Sequence, residues 1–339
     1  MDEGRRKRIE EILDGAAAAG RNQLLEGEVY GILDAAGIPV PRHETVSVEG
    51  TEPALEPAIR RLLDAESASG LVVKIQSPEI LHKTEAGGIA FASADPAEAV
   101  AACRAVVTRV RERVPDAALS GILLVERVSY RPNLPGSELL LTLRQDAALG
   151  PLVVLGIGGV LTEWYGALAP GRTTWIASAR DPIFEAETVA DLAALGPAFR
   201  LLFAPSRLHE RAPVDPESFW PVLRAWADLA RTFAADAAEG RPVLEEIEVN
   251  PLAALPGGGV TALDGIGRFA QERPRIRRRR IDKVHNLLAP RSVAVIGASA
   301  KAMNPGRIIL RNLRTAQGVA YGKIFPIHPK EEAIDSIPC

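Results

Sequence analysis

The sequence predicts an α+β protein with two domains, and three observations support this. Amphipathic helical stretches and short apolar strands fill the first 270 residues without a regular strand–helix alternation. A basic stretch follows, and a new apolar strand near residue 292 then opens a strand–helix–strand unit. The expected boundaries are an N-terminal extension at 1–21, a first domain at 22–270, a basic linker at 271–288 and the beginning of a second domain at 289–339.

Composition narrows the class of protein. At 339 residues, 47% of them hydrophobic, the chain can bury a substantial core. The net charge of −3 gives no hint of a nucleic-acid partner, and Cys103 and Cys339 are too few for a disulfide framework. No apolar run approaches the roughly 18 residues of a membrane helix, and the basic residues at 5–8 precede acidic residues rather than an export signal. We therefore expect a cytoplasmic protein with no membrane partner.

Local patterns place the elements of the first 120 residues. A helix at 22–37 ends at Gly37, with two prolines just beyond it. The apolar, β-branched run at 71–76 is typical of a buried strand. The same signals predict a strand at 43–48, a helix at 53–65, a loop at 77–88, a strand at 89–92 and a helix at 95–113.

The middle of the chain continues the α+β pattern. Strands are predicted at 121–128, 137–144 and 151–155, the first two joined by a proline- and glycine-containing turn. Residues 165–212 carry weak signals, with helical pieces around 183–203. A helix at 216–237 then precedes a hairpin whose strands, 243–249 and 260–263, meet across a glycine-rich turn.

The C-terminal part begins with a basic run within 270–283, which could bind nucleic acid or phosphate. A solvated interdomain linker is the favoured interpretation, because nothing else supports contact with RNA or DNA. A strand at 292–296, a helix at 305–316 and a strand at 323–327 form one βαβ unit. One such unit cannot cover both faces of a parallel sheet, so we expect an incomplete second domain.

The strongest cluster of polar side chains lies on the predicted hairpin. Glu246, Glu248 and Asn250 alternate with apolar residues and therefore share one face of the strand. The returning strand can bring Asp264 beside them. Oxygen ligands without histidine or thiolate suit Mg²⁺ that holds nucleotide phosphates. The alternative is an acidic strand edge that faces solvent.

A second candidate site surrounds the strand at 71–76. Lys74 interrupts this apolar strand, so its ammonium group must reach water or meet an anion. In the following loop, the backbone at Gly87 and Gly88 can approach phosphate oxygens while Lys83 supplies charge. An ordinary mobile hairpin loop is the alternative. His82, in the same loop, can act as a phosphoryl acceptor or proton carrier, whereas the other histidines are given no role.

Weaker signals lie between these two sites. Glu126, at the end of one strand, and Glu138, on the next, could hydrogen-bond a base and a ribose, or could be charges at the rim. The glycines at 156, 158 and 159 allow close approach of a ligand, or only a tight turn.

Three segments, taken together and in order, resemble one known family. They are LVVKIQSPEILHKTEAGG at 71–88, the stretch 138–159, and EVNPL at 248–252 with Leu263 and Asp264. They are similar to the ATP-grasp domain of NDP-forming acyl-CoA synthetases, a superfamily that includes ADP-forming acetate–CoA ligase and succinyl-CoA synthetase. The resemblance covers about 22–270. The segment PRSVAVIGAS at 290–299 resembles the entry to that family's CoA-binding domain.

The resemblance implies an ATP-grasp fold of two α+β subdomains, followed by the first βαβ unit of a Rossmann-like CoA-binding domain. It implies that Lys74 contacts ATP phosphate, and that His82 occupies the position of a phosphorylatable histidine. The remaining implied roles are adenine and ribose contact by Glu126 and Glu138, Mg²⁺ binding by Asn250 and Asp264 with Glu248 in support, and approach to CoA phosphates by Gly297 and Ser299.

The reaction implied by the resemblance converts ATP, CoA and a small carboxylic acid to acyl-CoA, ADP and phosphate. The phosphoryl group passes from ATP to a histidine and then to the carboxylate, before the CoA thiol attacks. The ligase domain of the family would lie further along the same chain or in a partner chain. Two alternatives remain: a module that binds nucleotide or CoA without turnover, and an NAD-dependent oxidoreductase. The second lacks the G-x-G-x-x-G spacing after the strand at 292–296.

Overall fold

Two sheets and a small C-terminal unit make up the fold in the computed structural model, which divides into the units Met1–Ile276 and Arg277–Cys339. The residues that the structure describes are 1–48, 51–64, 69–80, 82–132, 134–168, 173–186, 191–207, 209–237, 240–271, 283–315 and 323–339. The basic run at 277–280, predicted to be part of a linker, lies outside the described residues.

A four-stranded antiparallel sheet forms the first part of unit one. Its strand order is β2-β5-β3-β4, and two helices, α3 and α4, pack on one face. Apolar side chains of β3 alternate between this face and the other, so Leu71, Val73 and Ile75 enter the helix-covered core. The elements are β2 (His43–Val46), α3 (Thr51–Leu63), β3 (Leu71–Gln76), β4 (Ile89–Ala92), α4 (Pro96–Arg113) and β5 (Gly121–Glu126).

A seven-stranded antiparallel sheet forms the second part of unit one. Its strand order is β1-β11-β9-β6-β7-β8, with β10 paired to the end of β9. The strands are β1 (Gln23–Leu24), β6 (Glu138–Asp146), β7 (Gly150–Ile157), β8 (Thr174–Ser178), β9 (Val243–Ala254), β10 (Val260–Ala262) and β11 (Gly265–Ala270). The accompanying helices are α1 (Glu3–Ala18), α2 (Glu26–Ala36), α5 (Leu161–Leu168), α6 (Phe199–Phe203) and α7 (Pro216–Thr232), with 3₁₀ turns at Pro182–Glu185 and Leu192–Leu195.

The larger core lies on one face of the seven-stranded sheet. Leu139, Leu141 and Leu143 of β6 and alternate residues of β9 pack against α7, whose Trp220 and Trp226 are fully buried. The opposite face carries polar residues of the same strands. Because side chains alternate along a strand, burying one face in the core leaves the other available for a functional site.

The N-terminal segment differs from the prediction. Residues 1–21 contain α1, whose Ile9, Leu13 and Ala16 are fully buried in the larger core. Their i, i+4, i+7 spacing is that of a helix with one apolar side. The helix predicted at 22–37 begins only at Glu26, because Gln23 and Leu24 pair with β11. It ends as predicted, with Gly37 in the left-handed conformation.

Besides β1, two strands of the larger sheet, β8 and β11, were not predicted. β8 falls in the region of weak sequence signals, where Ile176 is exposed, so this edge strand lacks a clear apolar alternation. β11 contains two glycines and an exposed Ile266, and glycine is unfavourable in strands. Both strands form because longer neighbours, β7 and β9, supply their hydrogen-bonding partners.

Unit two confirms the predicted βαβ unit. β12 (Val293–Ile296) and β13 (Ile324–Ile327) are parallel, and α9 (Pro305–Thr315) connects them. A short helix, α8 (Val284–Leu288), precedes them, and a small hairpin of β14 (Ala333–Ile334) and β15 (Ile337–Pro338) follows. Across the described part of the chain, no helix combines the length and the apolar character needed to cross a bilayer. The cytoplasmic location stays a prediction.

Candidate functional site

Two lysines converge on one buried carboxylate in unit one. Lys74 Nζ lies 2.5 Å from Oε1 of Glu26, and Lys83 Nζ lies 2.9 Å from Oε2 of the same residue. The side chain of Glu26 is only 1% exposed. Lys74 points from the face of β3 opposite its helix-covered core, and on that side it meets Glu26, the first residue of α2. The strand alternation therefore delivers Lys74 to α2.

The turn between β10 and β11 completes this charged cluster. Lys74 Nζ also donates a hydrogen bond to the carbonyl oxygen of Leu263, at 2.6 Å. Lys83 Nζ lies 3.6 Å from Oδ1 of the half-exposed Asp264. Residues from β3, the 77–88 segment, α2 and the larger sheet thus meet where the two sheets adjoin. Lys74, Lys83 and Asp264, predicted separately, lie together.

The cluster contains two ammonium groups and two carboxylates, so its formal charges balance, but burial and pairing shift the pKa values of its members. Burial by itself would raise the pKa of Glu26, but Lys74 and Lys83 outweigh it and hold that pKa below its usual value. Burial tends to lower the pKa of Lys83, yet the two carboxylates raise it overall. Partial burial and the charge of Glu26 raise the pKa of Asp264. A further cation beside Asp264 would therefore be favourable.

A second cluster joins three predicted residues. The backbone N–H of Gly159 donates to Oδ1 of Asn250 at 2.8 Å. Gly159 has φ of +70°, and a Cβ there would lie 2.1 Å from Oε2 of Glu138, so only glycine permits this approach. Oε1 of Glu138 accepts a hydrogen bond from the hydroxyl of Tyr130 at 3.0 Å. The glycines after β7 therefore serve close packing around Glu138 and Asn250.

The donor set at the predicted metal site suits Mg²⁺. The N–H of Asn250 donates to the carbonyl oxygen of Asp264 at 3.3 Å, which makes these residues neighbours. Glu248 projects from the same strand face as Asn250 and contacts Thr142, and burial followed by the charge of Glu246 raises the pKa of its carboxyl. All three donors offer oxygen, which Mg²⁺ prefers. Among the described residues, no group of three or more His, Cys, Asp or Glu side chains forms a complete metal site.

The remaining predicted residues of unit one lie around these clusters. His82 is exposed, and its imidazole has no hydrogen-bond partner within the described ranges. Gly87 has φ of +72°, and its carbonyl oxygen accepts a hydrogen bond from Arg109 of α4. A Cβ on Gly88 would lie 2.4 Å from Ile75, so the segment packs closely on β3. Glu126 ends β5, at the start of the connection that leads to Glu138 in the other sheet.

In unit two, Gly297 and Ser299 lie in the turn that leads into α9. Gly297 has φ of +83°, which favours glycine. Oγ of Ser299 accepts hydrogen bonds from the N–H groups of Lys301 and Ala302, at 3.3 and 3.1 Å. Asn304 caps α9, since its Oδ1 accepts from the N–H of Arg307 at 2.9 Å. The turn therefore has a defined shape at a helix N-terminus.

Unit two contains an arginine–aspartate cluster, from which we expect its thermal stability to depend on pH. Arg307 and Arg311 hydrogen-bond Asp335 and hold its pKa well below the usual 3.8. A carboxyl group whose pKa is lower in the folded than in the unfolded state stabilises the fold at pH values above its unfolded-state pKa. This contribution is lost as the pH falls through the folded-state pKa. We expect the melting temperature of this unit to fall as pH drops below about 4. Asp335→Asn should show a lower melting temperature at neutral pH and a weaker pH dependence, measured by calorimetry of the full chain. The same dependence of melting temperature on pH in the variant and in the wild-type protein would contradict this expectation.

The sequence analysis did not identify Glu26 or the two tyrosines near the clusters, Tyr30 and Tyr130. Tyr30 is fully buried, and Lys74 Nζ lies 6.0 Å from its ring centroid. An acidic residue in the first turn of a helix ordinarily lies at the surface, where its negative charge interacts favourably with the helix dipole. Nothing local in the sequence distinguishes a buried Glu26 from that ordinary role, because its lysine partners are distant in sequence.

Two antiparallel sheets that meet at a pair of lysines, with acidic residues on the adjoining hairpin, are the arrangement of the ATP-grasp class of nucleotide-binding fold. The chain belongs to this family: the ATP-grasp domain family matches residues 15–266, and a CoA binding domain family matches residues 291–339. The predicted fold class and family are confirmed.

Curated relatives and solved structures agree with this assignment. The chain is 34% identical over 153 residues to the acetate–CoA ligase [ADP-forming] I subunit beta of Pyrococcus furiosus, a match to 45% of this chain and 60% of that protein. It is 25% identical over 325 residues to acetate–CoA ligase [ADP-forming] II of Archaeoglobus fulgidus, covering 93% of this chain and 40% of the relative. The chain thus matches less than two thirds of either protein.

Among solved structures, one similar chain is the dinucleotide forming acetyl-coenzyme A synthetase 1 of Ca. Korarchaeum cryptofilum, in complex with coenzyme A and Ca-AMPCP. Its TM-score is 0.59 at 25% identity, and the match covers 77% of this chain and 99% of that one. A second structure of the same protein contains a phosphorylated phosphohistidine segment, with a TM-score of 0.58 at 25% identity.

Proposed function

We propose that this chain is the ATP-binding portion of an ADP-forming acyl-CoA synthetase, and that it transfers the γ-phosphoryl group of ATP to His82. The observation that carries the proposal is the convergence of Lys74, Lys83 and Asp264 on one cleft edge. The family match and the names of the relatives support the same reaction.

The lysines provide the electrostatics of phosphate binding. ATP brings several negative charges, and Lys74 and Lys83 offer ammonium donors for its phosphate oxygens. Glu138, fixed by Tyr130 and seated against Gly159, can accept a hydrogen bond from a ribose hydroxyl. Glu126 lies where the chain passes from one sheet to the other and would contact the adenine.

Mg²⁺ would be held by Asp264 and Asn250, with Glu248 in support. The ion would neutralise charge that develops on the β- and γ-phosphates. The raised pKa values of Asp264 and Glu248 agree with a site that gains from an added cation.

In the phosphoryl transfer, a neutral imidazole nitrogen of His82 forms a bond to the γ-phosphorus while the bond to the β–γ bridging oxygen breaks. ADP leaves with the electron pair of that bond. The phosphoryl group then passes to a carboxylate, and the CoA thiolate displaces phosphate from the acyl phosphate. The exposed position of His82, without a competing hydrogen bond, suits an acceptor that must meet its donor in line.

The CoA-binding role belongs to unit two. The turn at Gly297 and Ser299 precedes the N-terminus of α9, where backbone N–H groups favour phosphate. A ligase domain, in the same chain or in a partner chain, would supply the carboxylic acid site. A partner chain is suggested by the relative that is a beta subunit.

Titration calorimetry with Mg·ATP tests nucleotide binding. Wild-type protein should bind, and Lys74→Met should bind at least about tenfold more weakly, because hydrogen bonds to charged groups contribute about 1.5–3 kcal/mol. Lys7→Met, which removes an exposed lysine of α1, is the matched control and should bind normally. Failure of the folded wild-type protein to bind Mg·ATP, or equal affinity in Lys74→Met, would reject the proposed site.

A further inference from the structure

The segment that carries His82 is anchored at both ends. On its N-terminal side, Ile80 is buried in the smaller core and Glu79 accepts a hydrogen bond from the N–H of Ala118, at 3.0 Å. On its C-terminal side, two arginines of α4 hold backbone carbonyls: Arg109 bonds Gly87 O at 3.2 Å and Arg113 bonds Glu85 O at 3.0 Å. These contacts attach both ends to the smaller subdomain.

Between these anchors, Lys83 is the described residue that connects the segment to the nucleotide cleft. It follows His82 directly, and its ammonium group reaches Glu26 at 2.9 Å. Its backbone carbonyl also accepts from the N–H of Gly88 at 2.7 Å, which closes the turn. The contact between Lys83 and Glu26 therefore helps to fix the conformation of the backbone next to His82.

We propose that Glu26 is a positioning residue that ties Lys74 and the His82 segment to a single buried charge. Its two carboxylate oxygens each take one lysine, at 2.5 Å for Lys74 and 2.9 Å for Lys83. The catalytic consequence rests on the function proposed above, but the tie itself depends only on these contacts.

Three physical features make Glu26 suited to this role. It is the first residue of α2, where the helix dipole stabilises a negative charge. Its side chain is 1% exposed, so water does not screen its attraction to the lysines. A carboxylate can also pair with two ammonium groups at once: Oε1 accepts a hydrogen bond from Lys74 and Oε2 forms an ion pair with Lys83, whereas an amide of the same shape carries no charge.

Glu26 also separates two tasks within the cluster. Asp264 is the other carboxylate near Lys83, at 3.6 Å, and it is the proposed ligand of Mg²⁺. If Asp264 alone held Lys83, nucleotide and metal binding would compete with segment positioning. Because Glu26 lies closer to Lys83, the segment stays docked while Asp264 is free to serve the metal.

Hydrogen–deuterium exchange of the full chain without nucleotide tests the tie directly. In Glu26→Gln, the amides of Ala86, Gly87 and Gly88, which close the turn, should exchange at least about tenfold faster, the scale of a lost charge-assisted contact. Lys83→Met should give the same increase and serves as a second variant if Glu26→Gln folds poorly. Glu11→Gln, which removes an exposed charge of α1, is the control and should leave these amides unchanged.

Single-turnover phosphorylation then tests the catalytic consequence. At saturating ATP, labelling of His82 should be at least about tenfold slower in Glu26→Gln, with partial recovery in Glu26→Asp, which restores the charge. If exchange in both Glu26→Gln and Lys83→Met matches wild type, the positioning proposal is wrong even if the wild-type protein is labelled. If the wild-type protein takes up no label while both variants loosen the segment, the proposed function fails and the tie stands.

Discussion

His82→Ala is expected to abolish the transfer of radiolabelled γ-phosphate from ATP to this chain. The imidazole nitrogen is the proposed acceptor, and a methyl side chain offers no lone pair to replace it. His82 is exposed, so its removal leaves no cavity and should not alter folding. Wild-type protein incubated with Mg·ATP should carry a label that is lost in acid and retained in base, as phosphohistidine chemistry requires. The variant should carry none.

Binding and a second histidine provide the controls for this result. His82→Ala should bind Mg·ATP with nearly wild-type affinity, because Lys74 and the acidic hairpin are intact. His285→Ala, which removes an exposed histidine of α8, should be labelled as wild type is. Full labelling of His82→Ala would move the acceptor elsewhere. A wild-type chain that binds Mg·ATP but takes up no label would instead indicate a binding module.

Trp226→Ala is expected to cause the largest loss of stability, about 3–5 kcal/mol in the free energy of unfolding. Trp226 is fully buried between α7 and the seven-stranded sheet, and its indole Nε1 has no hydrogen-bond partner among the described residues. Its contribution is therefore apolar contact, and alanine would leave a cavity. Chemical denaturation of the full chain measures the change in the free energy of unfolding. It is monitored by circular dichroism of the backbone, because this signal does not depend on the tryptophan that is removed.

Trp164→Ala is the matched control for this prediction. Trp164, on α5, is 59% exposed and contacts the ring of Tyr165. Its replacement should change the free energy of unfolding by no more than about 0.5 kcal/mol, as is usual for surface positions. Similar losses in the two variants would contradict the assignment of Trp226 to the core that supports the site.

Local sequence patterns predicted the elements that carry the site. The apolar run around Lys74 predicted β3 with its observed bounds, and period-two alternation placed Glu248 and Asn250 on one strand face. The turn glycines and flanking prolines placed Gly37 at the end of α2. These signals are local because they follow from backbone conformation and from which face of each element is buried.

Local patterns failed where partners in space decide the structure. β1 is short and β11 contains glycine, and they form because β1 pairs with β11 and β11 pairs with β9. Helix α1 has the right spacing of Ile9 and Leu13, but its charged composition concealed the buried side. In each case, tertiary contacts outweighed weak intrinsic preferences.

The sequence by itself determined the family, the α+β organisation and the identities of Lys74, His82 and Asp264 as candidates, because motifs and alternation are written in adjacent residues. Only the tertiary structure decided that Glu26 lies between the two lysines, and that Lys74 meets the carbonyl oxygen of Leu263, 189 positions away. The physical reason is that burial and pairing of charges depend on distances in space, which no local pattern encodes.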